Sequence, residues 1–181
     1  MLYAYSSAGY AADIGRFGYG LTLNQLTVDD PNGDGGDTIA LGYLNFFYVG
    51  KLWRDTQYYA EFSHIESEIT ASGGTIGQDV SSTGFRAMLQ ERLRLSATLK
   101  PWVGAGLGVY QQEFTRRHTV DGGGFLTGTF PNRDVTQFVL SFDAMHEWAF
   151  NDAIDIALRL KYDLGFNDGV DGLSASVILL Y

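Results

Sequence analysis

Cysteine is absent from this chain, and proline occurs only three times in 181 residues. Without cysteine there is no disulfide framework, no thiol nucleophile and no thiolate metal site. No apolar run approaches the roughly 20 residues that a membrane-spanning helix needs. Positive charge is scarce as well: 12 Lys and Arg stand against 21 Asp and Glu, a formal net charge of -9. No Lys/Arg stripe exists to neutralise phosphates, which excludes nucleic acid as a partner. Residues 1–14 have neither the basic start nor the apolar core of an export signal. A mature exported chain reads this way, and so does one that never carried such a signal.

What the chain does have is alternation. In the segment ending at Tyr181, Leu173, Ala175, Val177 and Leu179 occupy every second position. Before it, Ile154, Ile156, Leu158, Leu160, Tyr162 and Leu164 alternate with Asp155, Ala157, Arg159, Lys161 and Asp163. A period of two gives a strand with one apolar and one polar face. Glycine is abundant at 23, and Tyr and Phe number 11 and 12. Mean hydropathy is near zero, as expected when half of every strand is polar.

About eight strand-like segments of ~10–14 residues follow, the size of tilted membrane strands. They lie near 15–28, 38–50, 57–69, 80–92, 99–114, 134–147, 154–164 and 173–181. The second is apolar on both faces, so its register is open. The connections near 51–56, 93–98 and 149–152 read as short. Those at 29–37, 70–79, 115–134 and 165–172 read as long, polar and glycine-rich. This strict alternation of short and long connections is an outer-membrane barrel feature, with the short turns periplasmic. An even strand count then places both termini on that periplasmic side.

Trp53, Tyr58, Trp102, Trp148, Phe150 and Tyr181 all fall near the short-turn end and read as an aromatic girdle at a water–lipid boundary. Tyr110, Phe114, Phe138 and Tyr162 are candidates for the opposite girdle. A soluble lipocalin-like barrel would show the same alternation turned inside out. Connection asymmetry and aromatic placement favour the membrane reading. The expected fold is therefore an all-β, eight-stranded, antiparallel, up-and-down transmembrane β-barrel over residues 15–181, with residues 1–14 a periplasmic lead-in or plug.

The fifth segment carries a recognisable motif, Pro101-Trp-Val-Gly-Ala-Gly-Leu-Gly-Val-Tyr110. It resembles a strand of the small outer-membrane barrels: the OmpA transmembrane domain, OmpX and the opacity-type proteins. The terminal aromatic, Tyr181, is a second point of similarity, although phenylalanine is commoner there. The resemblance implies an outer-membrane location and contacts with lipid and lipopolysaccharide. It also implies recognition of the last strand by the barrel assembly machinery. It identifies architecture, not activity.

An eight-stranded lumen is just wide enough to be filled by side chains, and buried charges must pair. Glu61, Arg86, Asp143, Glu147, Asp155, Arg159, Lys161 and Asp163 are expected to form one ion-pair network inside. Mixed signs argue against a selective charge ring, although a narrow passive pore for water, ions or small solutes is an alternative. A lipid-modifying enzyme needs nucleophile, base and acid within reach of one another. Of the three His, His64 shares a face with Glu66 but diverges from Ser63, His118 has no evident acid, and His146 lies near the short-turn end. No catalytic site is assigned.

The stretch Asp30-Pro-Asn32-Gly-Asp34-Gly35 resembles the first half of an EF-hand loop. Asp30, Asn32, Asp34 and Asp37 are thus calcium candidates, although Leu41 stands where the closing glutamate belongs. Segment 115–134 mixes Arg116, Arg117, His118 and Arg133 with Phe125, Leu126 and Phe130. It reads either as a partner- or lipopolysaccharide-binding loop or as two strand extensions closing a hairpin. The resulting expectation is a non-enzymatic membrane anchor or surface-loop scaffold, able to bind a protein partner at its loops or its periplasmic end.

Overall fold

The computed structural model describes residues 15–96, 98–166 and 169–181. The lead-in expected at 1–14 lies outside them. The strands are β1 (Arg16–Asp30), β2 (Gly33–Trp53), β3 (Thr56–Ile69), β4 (Gly77–Arg92), β5 (Trp102–Val120), β6 (Leu126–Thr129), β7 (Arg133–Ala149), β8 (Asp155–Gly165) and β9 (Val170–Leu180). Each barrel strand pairs antiparallel with its neighbour in the order β1-β2-β3-β4-β5-β7-β8-β9, and β9 pairs back onto β1. At the seam Phe17 and Tyr181 exchange backbone hydrogen bonds of 2.9 and 2.8 Å. The result is the expected closed eight-stranded barrel, in which no barrel strand is left with an open edge. The four-residue β6 only extends the tip of β5.

Side chains follow the pleat. Phe17, Leu21, Leu23, Phe85, Leu107, Phe138, Leu158, Leu160, Leu173 and Val177 are exposed on the outer wall. Thr22, Asn24, Glu61, Arg86, Gln90, Ser141, Arg159, Lys161 and Ser176 are buried within. Water would invert that arrangement; hydrocarbon favours it. The wall is thus a transmembrane surface. No helix of the described residues is long and apolar enough to cross a membrane.

The strands are longer than expected. β2 has 21 residues and β5 has 19, where about 9–11 suffice to span. The surplus lies at the end opposite the termini, here called the hairpin end. There the connection expected at 29–37 is only the turn Pro31–Asn32, and 115–134 is the hairpin of strand extensions. At the terminal end, 93–101 is a long irregular connection, not a short turn. The strict short–long alternation is therefore corrected: ladder pairing continues past the membrane and consumes loops that glycine content had suggested were open.

Bulges explain where simple alternation fails. On β2, Tyr43 and Leu44 both face outward opposite the single Leu21 of β1, so the inward set changes parity from Ala40 to Asn45 and Phe47. On β5, Arg116 adopts φ 52°, among the described residues a left-handed conformation otherwise confined to glycine. The extra residue turns Arg117 inward, buried, in phase with Phe114.

Candidate functional site

The lumen is stratified. Nearest the termini is an apolar layer built by Phe47, Val49, Tyr59, Met88, Trp102, Met145, Ala157, Ile178 and Leu180. At the hairpin end is a second one, from Leu26, Val28, Ala40, Ile69, Val80, Phe114 and Val170. The charges lie between them. This ordering follows from sequence along each strand: Tyr59, Glu61 and Ile69 on β3, or Met88, Arg86 and Val80 on β4, climb through the same three levels.

In the middle layer Arg159 donates to Glu61 through both terminal nitrogens, at 3.0 and 2.9 Å. Arg86 donates to Glu61 at 3.1 Å and to Asp163 at 2.9 Å. Lys161 reaches Asp163 at 2.9 Å, and Ser141 donates to the same carboxylate at 2.6 Å. Tyr59 and Tyr110 accept from Arg159 and Arg86 respectively. Both guanidiniums also stack on these rings, with centroid distances of 5.1 and 5.4 Å. Three cations and two carboxylates form one mesh. Arg159, Glu61 and Arg86 are each only 1 % exposed.

Five of the eight expected network residues, Glu61, Arg86, Arg159, Lys161 and Asp163, meet in this mesh. Asp143 does not pair with a cation; Gln90, itself held by Gln57 at 2.8 Å, donates to it at 2.8 Å. Glu147 and Asp155 form a separate cluster at the terminal mouth, on Arg16, at 3.0 and 2.6 Å. Arg16 was not foreseen as a partner. Its position immediately before the apolar–glycine alternation of β1, in phase with Gly18 and Gly20, is the available signal.

Between the ionic layer and the hairpin-end apolar layer lies a polar cavity of about 40 Å³ lined by Asn24, Asn45, Ser63, Tyr110, Gln112 and Lys161, among others. That is room for very few waters.

Of the expected girdle, Trp53, Trp148, Phe150 and Tyr181 are exposed on the outer wall and Tyr58 is half-buried, its ring 5.7 Å from that of Tyr48. Trp102 departs from it: the residue is 6 % exposed and lies inside the terminal-end layer. The alternation that turns Gly104 inward turns Trp102 inward too, and it overrides the preference of indole for the interface. Phe138 and Tyr162 are on the outer wall, whereas Tyr110 and Phe114 are inside for the same reason.

At the hairpin end the calcium candidates have other partners. Asp30 accepts two hydrogen bonds of 2.7 Å from the buried Arg117 and caps its own turn through Asn32 N–H at 2.9 Å. Asp34 accepts from Gly36 N–H and the Thr75 hydroxyl at 2.9 Å, and Asp37 from Thr27 at 2.7 Å. Among the described residues no three His, Asp or Glu side chains converge as a metal cage. The cations of segment 115–134 are engaged as well: Arg116 with Asp79, Arg117 with Asp30, and Arg133 with the Asp29 carbonyl at 2.8 Å. His64 faces outward on Thr83 at 2.6 Å and Glu66 at 3.5 Å, away from the buried Ser63.

Charge is strongly polarised along the axis. Among the described residues, Asp29, Asp30, Asp34, Asp37, Glu66, Glu68, Asp79, Glu113, Asp121, Asp134 and Asp171 lie at the hairpin end with only Arg116, Arg117 and Arg133 as Lys or Arg counterparts. In the lumen and at the terminal end the two signs nearly balance.

No protein-family model matches the chain, and no curated protein sequence matches it. Solved structures do. Neisserial surface protein A, NspA, is similar at 12 % identity over 92 % of this chain and 95 % of its own, with TM-score 0.64. Ail, the attachment invasion locus protein of Yersinia pestis, is similar at 14 % identity over 92 % and 96 %, TM-score 0.55. The outer membrane protein AlkL, solved in lipid bilayers, gives 14 % identity, coverage of 100 % and 97 %, and TM-score 0.54. The chain has the fold of the small outer-membrane β-barrels. At these identities the likeness concerns fold alone.

Proposed function

We propose that this chain is a closed, non-conducting barrel of a bacterial outer membrane, not an enzyme, that anchors and displays the acidic crown of hairpins at the end opposite its termini. The termini are then periplasmic, Tyr181 presents the last strand to the assembly machinery, and the outer wall contacts lipid and lipopolysaccharide. One observation carries the reading: an ion-paired layer enclosed between two apolar layers. An ion would have to cross both dry layers and displace buried pairs, each step opposed by desolvation.

The crown supplies the working surface. Phe125, Leu126 and Phe166 are exposed there amid the carboxylates, a combination that suits a protein partner with basic and apolar groups. Ail is an attachment protein by name and has been solved with the heparin analogue sucrose octasulfate. The crown of this chain has the opposite sign to what a polyanion needs, so attachment here runs to a cationic surface.

Planar-bilayer recording tests the reading. The purified chain is expected to give no discrete conductance steps. Reproducible steps would overturn it in favour of the passive pore. Change in lipid A mass on expression, lost in His64→Ala, would overturn it in favour of an enzyme.

A further inference from the structure

Through the membrane every barrel strand is laddered on both sides, but toward the hairpin end the β2–β3 ladder stops early. Its last pair is Leu44 with His64. β2 runs on to Gly33 and β3 to Ile69, each still paired on its other side, with β1 and β4. The ladder stops where the Tyr43–Leu44 bulge shifts the phase of β2. Beyond it Thr38 bridges the interval with its side chain. Its hydroxyl donates to the Glu68 carbonyl at 3.2 Å and meets the Ser67 hydroxyl at 2.7 Å. Thr38, Ile65 and Ser67 are in the inward phase yet only half-buried, so the wall is thin here.

A window of about 630 Å³ lies at this place, lined by Asp34, Asp37, Thr38, Glu68, Thr70 and Ser72, among others. Among the described residues that line it there is no Lys, Arg or His. Asp34 and Asp37 accept hydrogen bonds from hydroxyls and an amide N–H, which leaves their charge in place. The two lips differ in character. On β2, Ile39 and Leu41 face outward, 69 and 56 % exposed. On β3 the outward residues are Glu66 and Glu68, both exposed; Glu66 has His64 at 3.5 Å. Carboxylates on the wall put this level outside the hydrocarbon, so lipid does not account for the bare Ile39.

We infer that the window accepts an extended segment of a partner protein, with Lys or Arg at every second position, as a strand added to β2 beyond Leu44. A stretch of strand without a ladder partner is a template for such pairing, and main-chain bonds supply the affinity while alternate side chains supply the specificity. The outward side chains of the added strand lay their aliphatic stems on Ile39 and Leu41 and place their charged heads on Glu66 and Glu68. Entry breaks the Thr38 bridge, whose hydrogen bonds the incoming backbone replaces. A second copy of this chain is a poor occupant, because its own net charge is -9. The inference rests on the reading of the crown as a surface for a cationic partner, and adds where and in what conformation that partner sits.

The test is a titration of the full, 15N-labelled chain in zwitterionic nanodiscs with a synthetic peptide of alternating lysine and threonine, at fixed ionic strength. The backbone amide resonances of 38–41 and 65–68 are expected to shift saturably, with NOEs from peptide amides to that stretch of β2. The same peptide N-methylated at alternate backbone nitrogens keeps its charge but loses its ladder donors. It is expected to bind about tenfold more weakly. The E66Q/E68Q variant is expected to bind the unmodified peptide about tenfold more weakly as well. Should that variant fail to show heat-modifiable gel migration, the comparison of the two peptides on the unsubstituted chain decides. Equal affinity of the two peptides, unchanged affinity in E66Q/E68Q, or shifts confined to the hairpin around Asp121 and Phe125 would overturn strand addition here and leave the crown a surface for cations. Binding of neither peptide would overturn both readings.

Discussion

Arg159 on β8 grips Glu61 on β3 with two parallel hydrogen bonds of 3.0 and 2.9 Å, and these strands are diametrically opposite in the barrel. The pair is a strut across the full lumen. Arg86 braces it from β4 at 3.1 Å. Two guanidiniums depend on one carboxylate, so Glu61 is the residue whose loss leaves most charge uncompensated. Glu61→Gln is expected to cost about 3–5 kcal/mol, the range for breaking a buried pair from one side. Replacing the three together by Leu, Met and Met is expected to cost far less, because no orphaned charge remains. Urea unfolding in detergent, followed by tryptophan fluorescence, measures both. Equal losses in the two variants would show that packing and not charge sets the stability.

The three tryptophans separate by environment. Trp53 is 68 % and Trp148 46 % exposed on the outer wall, against 6 % for Trp102. In single-tryptophan variants reconstituted with brominated lipids, Trp53 and Trp148 are expected to be quenched and Trp102 to stay bright. Strong quenching of Trp102 would place it on the lipid side and invert the face of β5.

Much of this was legible in sequence, and the exceptions share a cause. Alternation placed Glu61, Arg86, Arg159, Lys161 and Asp163 on one inner surface, because a closed barrel keeps the pleat in phase over most of each strand. It could not say which charges meet, since partners such as Glu61 and Arg159 lie 98 residues apart. Phase failed where the backbone breaks it, at Tyr43–Leu44 and at Arg116. Gly42 borders the first bulge, but glycine is too frequent in this chain to single it out, and the second falls on Arg116 itself. Trp102 was misplaced by weighing residue type above phase. Sequence alone assigns Arg117 to a candidate partner- or lipopolysaccharide-binding segment and Asp30 to a candidate calcium loop; their salt bridge at 2.7 Å needs the bulge to bring them together.

The glycines of β5 sit where strands approach closely. A Cβ on Gly106 would lie 2.2 Å from the Ala87 carbonyl oxygen and 2.6 Å from the Met88 Cα. Backbone atoms cannot yield as a flexible side chain can. Gly106→Val is expected to destabilise by at least the upper part of the ~1–3 kcal/mol typical of overpacking. Ala105→Val, one residue away on the exposed face, is expected to be neutral within about 0.5 kcal/mol. Refolding yield judged by heat-modifiable gel migration distinguishes them. Equal behaviour of the two would remove steric closeness as the reason for glycine here.

At the terminal end the exposed pair Asp55–Arg94, 2.6 Å apart, ties the turn after β2 to the connection after β4. The hydrogen bond from Arg94 holds the Asp55 carboxyl below its ordinary value of 3.8. A carboxyl depressed in the folded state contributes its stabilisation above the unfolded value and loses it as pH falls through the folded one. The tie is therefore intact at neutral pH and released only below about 3.8, well under the range in which histidines titrate. Carboxyl-carbon NMR is expected to show the Asp55 midpoint below 3.8 in the wild type. In Arg94→Gln the midpoint is expected to rise toward that value and stay slightly under it, because Arg54 and Arg92 still act on the carboxyl. An unmoved midpoint in Arg94→Gln would mean that the surrounding cations, and not the hydrogen bond, set it.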